Sequence, residues 1–261
     1  MPRCVIGARF LGEMPMPGLE RISHPRSHSR GGARPAEIGR MRHSPCEDLL
    51  RHRHDEAFAA VVLSGGYVEA GDTGRHRTEP GDVLLHRACE HHLDRFDRRG
   101  AEVLVLPLGL DWDGPIHGRL VDPDAIARLA ETDPDLAVNA LLARLSPKPA
   151  PASDWPDLLA RTLRADPSLS LADWARASGL HLGSLSRGFR QVFGVTPAAY
   201  RLTQRAHRAI DALLRTPASL SVIAQDCGFA DQAHMSRAVH RAAGASPAAL
   251  RRRGASGGAE P

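Results

Sequence analysis

The spacing of apolar and polar positions changes once along the chain. Between residues 43 and 108 the apolar residues occur in short runs, such as 58–63 and 101–108, which glycine-containing turns separate. Such runs are typical of buried β-strands, and many short strands at this spacing predict a small barrel or sandwich. After residue 122 apolar residues recur every three or four positions, which is the helical period. The pattern predicts an α+β multidomain protein with strands first and helices second.

The stretch 219–247 has the pattern of a helix-turn-helix. Ser219 is placed to cap a first helix, and Ala224 is small enough to let a second helix cross closely. Gly228, four residues later, suits the turn because the backbone there favours a positive φ. Asp231 is placed to cap the second helix, whose apolar residues recur at helical spacing: Met235, Ala238, Val239 and Ala242. We therefore expect two short helices joined by a tight turn.

The same arrangement occurs about fifty residues earlier. A serine, an alanine and a glycine precede their counterparts by 49 residues, namely Ser170, Ala175 and Gly179. Towards the end of the unit the offset becomes 50 residues, because the turn of the second unit contains one more residue than the turn of the first. Between the units, residues 197–214 predict one helix that opens with Thr196 and Pro197 and keeps its apolar residues on one face. The sequence therefore predicts two helix-turn-helix units joined by a rigid helix.

The second helix of each unit, expected at about 182–193 and 231–243, carries a polar and cationic outer face. A helix that lies in a DNA major groove presents such side chains to base edges and phosphates. The candidate DNA-binding residues are Gly183, Ser184, Ser186, Arg187 and Arg190 in the first unit, and Asp231, Gln232, His234, Ser236, Arg237 and Arg241 in the second. Arg187 and Arg237 occupy equivalent positions, so we expect them to read bases, with Gln232 as a further reader. Binding to phosphate alone is the alternative.

This part of the chain resembles the AraC/XylS family of transcription regulators. The resemblance rests on GFADQAHMSRAVHRAAGASPAALR in the second unit and LSRGFRQVFGVTPAAYR at the end of the first, and it covers about residues 168–252. The DNA-binding region of this family consists of two helix-turn-helix units joined by a long helix. The resemblance implies that the partner is double-stranded operator DNA, with RNA polymerase as a further partner if the protein is an activator.

Charge is unevenly distributed along the chain. Residues 165–253 contain 12 Arg and 5 Asp, a net charge of +7, whereas residues 51–164 contain 13 Arg and 1 Lys against 19 acidic residues, a net charge of −5. Basic residues on a helical surface often serve solubility alone, but here the excess coincides with the helix-turn-helix units. The distribution therefore places the nucleic-acid contact in the C-terminal part.

The β-rich part resembles a cupin barrel, which is the sensory domain of many AraC-type regulators. His52 and His54 begin a stretch similar to the first cupin motif, and residues 81–92 are similar to the second. Three departures from the motifs are visible. The glutamate expected a few residues after the histidine pair is missing, and Arg87 and Cys89 replace a proline and a glycine. The resemblance implies a cupin-like sensor whose metal motif is altered.

Three histidines are candidates for a metal or effector site. His52 and His54 are two residues apart, so on a strand they point to the same face, where His92 can join them. A fourth ligand is available from one thiolate or two carboxylates, namely Cys89, Asp55 and Glu56. Such a set suits zinc, iron or manganese. The alternatives are a pocket for an organic effector and a solvent-exposed, histidine-rich surface.

The remaining segments complete the predicted organisation. Residues 1–42 show no sustained period and are rich in Arg, Pro, Gly and Ser, which predicts disorder. A basic arm that contacts DNA and a native start near Met41 are the alternatives. The predicted domains are then a cupin-like sensor at 43–110, a helical linker at 111–164, the DNA-binding domain at 165–253 and a disordered tail at 254–261.

The linker contains two helical patterns before a proline-rich stretch at 146–151. We expect Leu141, Leu142 and Leu145 to pack on the barrel. A homodimer contact, which helices in this region of the family often form, is the alternative.

Two classes of function are compatible with this organisation. The first is a DNA-binding transcription regulator whose cupin-like domain senses a small molecule or a metal. The second is a metal-dependent cupin enzyme, such as a dioxygenase or isomerase, fused to a DNA-binding domain, and a constitutive DNA-binding protein is a third possibility. The sequence contains no nucleophile with a nearby base, paired carboxylates or phosphate loop, so we expect no enzyme activity.

The apolar runs and the cysteines indicate where in the cell the protein is expected. No apolar run approaches the roughly 18 residues that a membrane span needs. The four cysteines are scattered without a pairing pattern, which fits a reducing compartment. We therefore expect a cytoplasmic protein.

Overall fold

The computed structural model describes residues 33–34, 39–109, 116–148 and 153–256. The contacts divide the chain into Met1–Arg30 and Gly31–Pro261, and all described residues belong to the second unit. No helix within the described ranges is long and apolar enough to cross a membrane.

The strands form one sheet. They are β1 (Ala33–Arg34), β2 (Gly39–His43), β3 (Asp48–His54), β4 (Phe58–Gly71), β5 (Gly74–Arg77), β6 (Asp82–His86), β7 (His91–Pro107), β8 (His117–Arg119) and β9 (Ser146–Pro147). Their order is β1-β3-β7-β4-β6-β8-β9, and in addition β2 pairs with β7 and β5 pairs with β4. Among the described strands the outer two, β1 and β9, do not pair with each other, so the sheet is not closed. The predicted cupin-like barrel is therefore not confirmed.

Strands β4 and β7 are the longest and pair with each other in antiparallel register. β7 also pairs with β3, and this register places His52 opposite His92 and Arg53 opposite His91. Residues directly opposite each other in an antiparallel pair share one face of the sheet, and successive residues alternate between faces. Strand β3 therefore directs histidines to one face and arginines to the other.

Three predictions about segment boundaries need correction. Ala33–Arg34 forms strand β1 and pairs with β3, and Gly39–His43 forms strand β2 and pairs with β7, so the disorder predicted for residues 1–42 is wrong at residues 33–34 and 39–42. Strands β8 and β9 fall in the predicted helical linker, because they extend the sheet beyond β6. The predicted tail at 254–261 begins with three residues that belong to a helix. Most of the N-terminal segment and residues 257–261 lie outside the described residues.

Most of the helices occupy positions that periodicity predicts, and α9 is a further helix that was not predicted. They are α1 (Pro123–Ala130), α2 (Pro134–Arg144), α3 (Trp155–Ala165), α4 (Leu171–Ala177), α5 (Leu182–Phe193), α6 (Pro197–Arg215), α7 (Leu220–Asp226), α8 (Gln232–Ala243) and α9 (Pro247–Ser256). Asp122, Asp133 and Thr196 cap α1, α2 and α6 with their side chains, and a proline follows each as the first helical residue.

Two apolar cores lie on the sheet. One buries strand residues against α1 and α2 and contains Leu141, with Leu142 and Leu145 packed against it, which confirms the expected packing of these leucines. The other lies among strand residues such as Phe58, Tyr67 and Phe96.

Two further cores involve the helix-turn-helix units. The second unit has a core of its own with α6, built on Met235, Val239 and Leu213. The first unit shares its core with α3 and with Leu93 of β7. Helix α3, which the sequence assigned to the linker, therefore packs as part of the first unit.

Candidate DNA interface and effector site

Helices α4 and α5 form the first helix-turn-helix unit. The Ser170 hydroxyl accepts a hydrogen bond from the Asp173 backbone N–H at 3.3 Å, so this serine caps α4 as predicted. Gly179 in the turn has a φ of 67°, a conformation that residues with a Cβ rarely adopt. Helix α5 has the span predicted for the first recognition helix and fully buries Leu185, Phe189 and Phe193.

Helices α7 and α8 repeat this geometry. Ser219 Oγ accepts from the Val222 backbone N–H at 3.3 Å, and the Asp231 carboxylate accepts from the His234 backbone N–H at 2.6 Å. Gly228 in the turn has a φ of 75°. Helix α8 begins one residue after the predicted start, because Asp231 is the cap rather than the first helical residue. Two helix-turn-helix units on a shared helix, α6, are therefore present as predicted.

The predicted DNA-binding side chains lie mainly on the outer faces of the two recognition helices. The exposed ones are Gly183, Ser184, Arg187, Arg190, Asp231, Gln232, Arg237 and Arg241, and the half-buried ones are Ser186, His234 and Ser236. Asp231 differs from the others because its carboxylate caps α8. Its contact is therefore with the helix itself.

A concave surface of about 550 Å³ lies along α8 and the start of α9. It brings together three predicted residues, Ser236, Arg237 and Arg241, and adds His240 and Ser246. The sequence analysis missed His240, although its position three residues after Arg237 places both on one helical face. The surface offers hydroxyl, imidazole and guanidinium groups, all of which bind nucleic acid.

Arginines of the sheet donate hydrogen bonds to the C-terminal ends of both recognition helices. Arg51 Nη1 donates to the Phe193 carbonyl oxygen at 3.2 Å, and Arg53 Nη1 donates to the Ala242 carbonyl oxygen. Arg95 on β7 donates to a further carbonyl oxygen in the last turn of α5 at 2.5 Å. The last carbonyls of a helix have no partner within it and carry partial negative charge, so cations stabilise them. The sheet therefore contacts both recognition helices at the same end.

Asp72 connects the sheet to helix α6. Its carboxylate is paired with Arg51 and lies 3.1 Å from His91 Nδ1 and 3.0 Å from His207 Nε2. We call these four residues the Asp72 cluster. The Asp72 backbone carbonyl also accepts hydrogen bonds from two side chains of α6, at 2.9 and 3.0 Å, from Tyr200 and Gln204.

The Asp72 cluster is held by charge as well as by hydrogen bonds. Burial alone would raise the pKa of Asp72, but Arg51 and His207 lower this pKa well below its usual 3.8. Burial would lower the pKa of His207, but its hydrogen bond to Asp72 raises it. Each group thereby stabilises the charged form of the other.

The three predicted histidines come together on the other face of β3. His52 Nε2 lies 3.1 Å from His54 Nε2, and the rings of His52 and His92 have centroids 4.4 Å apart. One ligand nitrogen from each of the three lies within 4.8 Å of the others. We call these three residues the histidine cluster. His52 Nδ1 donates to the Leu50 carbonyl oxygen at 2.9 Å, so in the neutral ring Nε2 keeps its lone pair.

Two residues that the sequence analysis did not select adjoin the histidine cluster. Glu69 and His86 are buried, with Glu69 Oε2 3.3 Å from His86 Nε2, and each offers an atom within 4.8 Å of His92. Burial would lower the pKa of His86, but the Glu69 carboxylate raises it, and His86 in turn lowers the pKa of Glu69. Glu69 could have been selected from the sequence, because a glutamate within an apolar run needs a buried partner. Glu69 thus places a buried carboxylate beside His92.

His92 and Asp94 differ from this charged pair. Burial, with His86 as the next cause, lowers the pKa of His92 well below its usual 6.5, so the ring stays neutral. Burial together with the Glu69 carboxylate raises the pKa of Asp94 well above 3.8. Among the described residues, His92 Nδ1 and Asp94 Oδ1 are buried and have no hydrogen-bond partner.

The three candidate fourth ligands from the sequence are not supported. Cys89 packs against the apolar core of the second helix-turn-helix unit, and burial raises the pKa of its thiol, which disfavours the thiolate that binds metal. Asp55 and Glu56 are exposed, and Asp55 Oδ1 faces Arg53 Nη2 at 3.5 Å. Histidine and glutamate side chains therefore make up the donor set.

This donor set fits a transition metal. Imidazole suits zinc and iron, and three imidazoles with one open position are a known zinc arrangement. Metal-binding histidines commonly donate their other ring nitrogen to a carbonyl, as His52 does to Leu50. The residues that would hold a metal are His52, His54 and His92, with Glu69 and His86 adjacent. The same groups also suit an acidic organic ligand.

The two helix-turn-helix units on a shared helix define a DNA-binding domain. Residues 174–253 match the family of helix-turn-helix domains of the AraC type. This part of the chain is thus an AraC-type helix-turn-helix domain, as the sequence predicted. No curated protein shows significant similarity to the chain.

Several solved structures are similar to the chain. An AraC-type regulator from Chromobacterium violaceum is 29% identical, over 37% of this chain and 88% of its own, with a TM-score of 0.35. The C-terminal domain of the response regulator AraT from Geobacillus stearothermophilus is 24% identical, over 40% and 88%, with a TM-score of 0.37. Fatty-acid-bound ToxT from Vibrio cholerae is 12% identical, over 82% and 94%, with a TM-score of 0.38.

Proposed function

We propose that the protein is a cytoplasmic, sequence-specific transcription regulator that reads its operator with α5 and α8. The observation that carries this proposal is the pair of recognition helices, which expose polar and cationic side chains at equivalent positions within an AraC-type domain. The excess positive charge of this region adds affinity for phosphate. A homodimer and, for an activator, RNA polymerase complete the proposed partners.

Arg187 and Arg237 are the proposed base readers. Both are exposed, and each stands at the same place in its repeat. An arginine fork can donate two hydrogen bonds to guanine in the major groove, and such a contact contributes about 1–3 kcal/mol of discrimination. Gln232, in the first turn of α8, is a further reader. Gly183 and Ser184 are small, so specificity in the first unit depends on Ser186 and Arg187.

The test begins with selection of bound genomic fragments and footprinting of the full-length chain. We expect Arg187→Ala and Arg237→Ala each to relax the preference at one operator position, by roughly 5- to 150-fold. Arg144→Ala, an exposed arginine of α2, is the matched control. Loss of affinity with unchanged base preference would assign these arginines to phosphate, and an unchanged footprint in both variants would refute the groove assignment.

We further propose that the effector binds at the histidine cluster and that strand β3 transmits its presence. His52 and His54 lie on one face of β3, and Arg51 and Arg53, which contact the two recognition helices, lie on the other. A ligand that shifts β3 must therefore shift its arginines. In this way one strand links the sensor to both reading helices.

Elemental analysis of untagged protein separates a metal effector from an organic one. Near-stoichiometric zinc, iron or manganese that is lost in His52→Ala supports a metal, and an organic ligand is favoured if wild-type protein carries none. We expect His54→Ala to abolish the transcriptional response in cells. A fragment of residues 153–256, which keeps α3 with the first unit, should still bind the operator. A full response in the His52→Ala/His54→Ala/His92→Ala variant would refute the sensor assignment.

A further inference from the structure

A second cavity lies away from the histidine cluster, between β5, β8 and α3. Its volume is about 380 Å³, within the 300–1,000 Å³ that is typical of small-molecule sites. Most of its lining residues have polar or charged side chains, and they include Arg75, His76, His117, Lys148, Arg161 and Arg164. Asp157 also lines the cavity.

The cations of this cavity differ in how they are neutralised. Arg75 is paired with Asp157 and Asp154, and Lys148 is paired with Asp82. Arg161 Nη2 instead donates to the Ser153 hydroxyl at 2.8 Å, and Arg164 Nη1 donates to the Tyr200 hydroxyl at 3.0 Å. Hydroxyl acceptors are neutral, and among the described residues neither guanidinium group is paired with a carboxylate.

The two histidines of the cavity supply hydrogen-bond donors. His117 is only 6% exposed, and within the described part of the chain neither of its ring nitrogens has a hydrogen-bond partner, nor does Nε2 of His76. Burial lowers the pKa of His76 to about 4 and also lowers that of His117, so both rings are neutral near pH 7. A neutral imidazole carries one N–H, and leaving it buried without an acceptor is unfavourable.

We propose that this cavity binds a small organic anion through a carboxylate or phosphate group. The guanidinium groups of Arg161 and Arg164, which no described carboxylate neutralises, can each donate two hydrogen bonds to two oxygens of a carboxylate or phosphate group, and charge-assisted hydrogen bonds of this kind are the strong ones. His117 Nε2 lies 3.7 Å from Asp82 Oδ2, beyond hydrogen-bond distance, so the anion's oxygens supply an acceptor for the His117 N–H and, in the tautomer with its proton on Nε2, for that of His76.

The cavity is connected to the DNA-binding domain through Arg164. This residue lies in the last turn of α3, and Tyr200, which accepts its hydrogen bond, lies in the first turns of α6. The Tyr200 hydroxyl donates in turn to the Asp72 carbonyl oxygen at 2.9 Å. An anion that engages the Arg164 guanidinium competes with this contact. On the proposed function, occupancy of the cavity therefore changes operator affinity.

Calorimetry on the full-length chain tests the site with three probes: inorganic phosphate, succinate and succinamide. Succinamide has the shape of succinate but no charge. We expect phosphate or succinate, and not succinamide, to bind in the millimolar range or tighter, and the stronger of the two identifies the headgroup. Binding by neither anion, or equal binding of succinamide, would overturn the proposal.

Variants show whether binding occurs in this cavity. We expect Arg161→Ala to weaken anion binding by about ten- to a hundredfold, because one charge-assisted contact is lost. Arg161→Lys should retain part of the affinity, and Arg144→Ala, an exposed arginine outside the cavity, should retain all of it. Equal anion affinity in wild type and Arg161→Ala would overturn the proposal. Thermal melts of each variant confirm that the fold is intact.

Operator binding is measured separately, with and without saturating anion. A protein that binds anion in an Arg161-dependent way but binds no operator would refute the proposed function and leave the cavity assignment standing. A protein that binds its operator equally with and without anion would refute the connection through Arg164. A shift in operator affinity that is lost in Arg161→Ala supports both.

Discussion

Replacement of Asp72 by asparagine tests whether charge holds the sheet against the DNA-binding domain. The Asp72 side chain is 3% exposed and that of its partner Arg51 is 11% exposed, so neither charge has much access to water. Asparagine keeps the size of the side chain and one oxygen acceptor but removes the charge. Arg51 then remains as a buried cation without its anion, and His207 loses the carboxylate that raises its pKa, so burial favours its neutral form.

The expected cost follows from this burial. Removal of one partner from a buried ion pair typically costs about 3–5 kcal/mol, and the retained amide oxygen favours the lower end. A loss of about 3 kcal/mol lowers the Tm of a domain of this size by about 6–12 °C. Asp211→Asn, an exposed carboxylate on α6, is the matched control and should change stability by less than about 0.5 kcal/mol.

The two pKa shifts determine how the stability difference between wild type and Asp72→Asn changes with pH. The pKa of Asp72 is lowered in the folded state, so its contribution is present above the unfolded value of 3.8 and is lost as the pH falls through the folded value. The pKa of His207 is raised, so its contribution is complete below the unfolded value of 6.5 and is lost as the pH rises through the folded value. The difference in stability between wild type and Asp72→Asn should therefore be largest between about pH 4 and 6.5.

Urea denaturation followed by circular dichroism at several pH values measures this difference. A loss below about 1 kcal/mol at pH 6, or a loss equal to that of Asp211→Asn, would refute the idea that the Asp72 charge stabilises the contact. A loss of the expected size that does not decline in acid would assign the effect to packing.

Three further predictions follow from the described contacts. Gly188→Ala should destabilise the first unit by about 1–3 kcal/mol, although alanine favours helices, because its Cβ would lie 2.6 Å from the Trp155 ring. Gly183→Ala on the same helix would meet nothing within 4 Å and should stabilise the unit by about 0.5–1 kcal/mol. Thermal melts compare the two variants. Deletion of residues 1–43 removes β2 and should lower the unfolding free energy, whereas deletion of residues 1–32 leaves that strand in place; equal melts would refute the pairing of β2 with β7. Arg53→Ala should speed hydrogen exchange at the C-terminal end of α8, and an unchanged rate there would contradict the Arg53 contact with the Ala242 carbonyl.

The helical domain could be predicted from sequence because its signals are local. Ser219 and Asp231 cap the helices that follow them, and Gly228 takes the positive φ that its place in the turn requires. Each of these signals acts within four residues. The 49- and 50-residue repeat then fixed the relation between the two units without any knowledge of contacts.

The contacts between distant segments could not be predicted in this way. Glu69 on β4 pairs with His86 on β6, although the register of these strands places His86 opposite Phe58, at the other end of β4. Nothing local to either residue in the sequence indicates this contact. The histidine pair on β3 was visible from its spacing of two, but nothing in the pattern singled out Arg51 and Arg53, which alternate with the histidines. The partners of these arginines are backbone carbonyls about 140 and 190 residues away.

The glycines that end the two recognition helices have a consequence for how this protein can be recombined. Gly194 and Gly244 both adopt left-handed φ values, 74° and 67°, and both lie against strand β3: a Cβ on the first would lie 3.5 Å from Arg51 Cβ, and one on the second 2.9 Å from Arg53 Nη2. Arg51 and Arg53, about 7 Å apart on β3, thus lie against two glycines that are fifty residues apart in the DNA-binding domain. A chimaera that joins this DNA-binding domain to another sensor would lose both contacts at once. Strand β3 and the C-terminal ends of α5 and α8 form a single structural unit, so a domain exchange should transfer all three together.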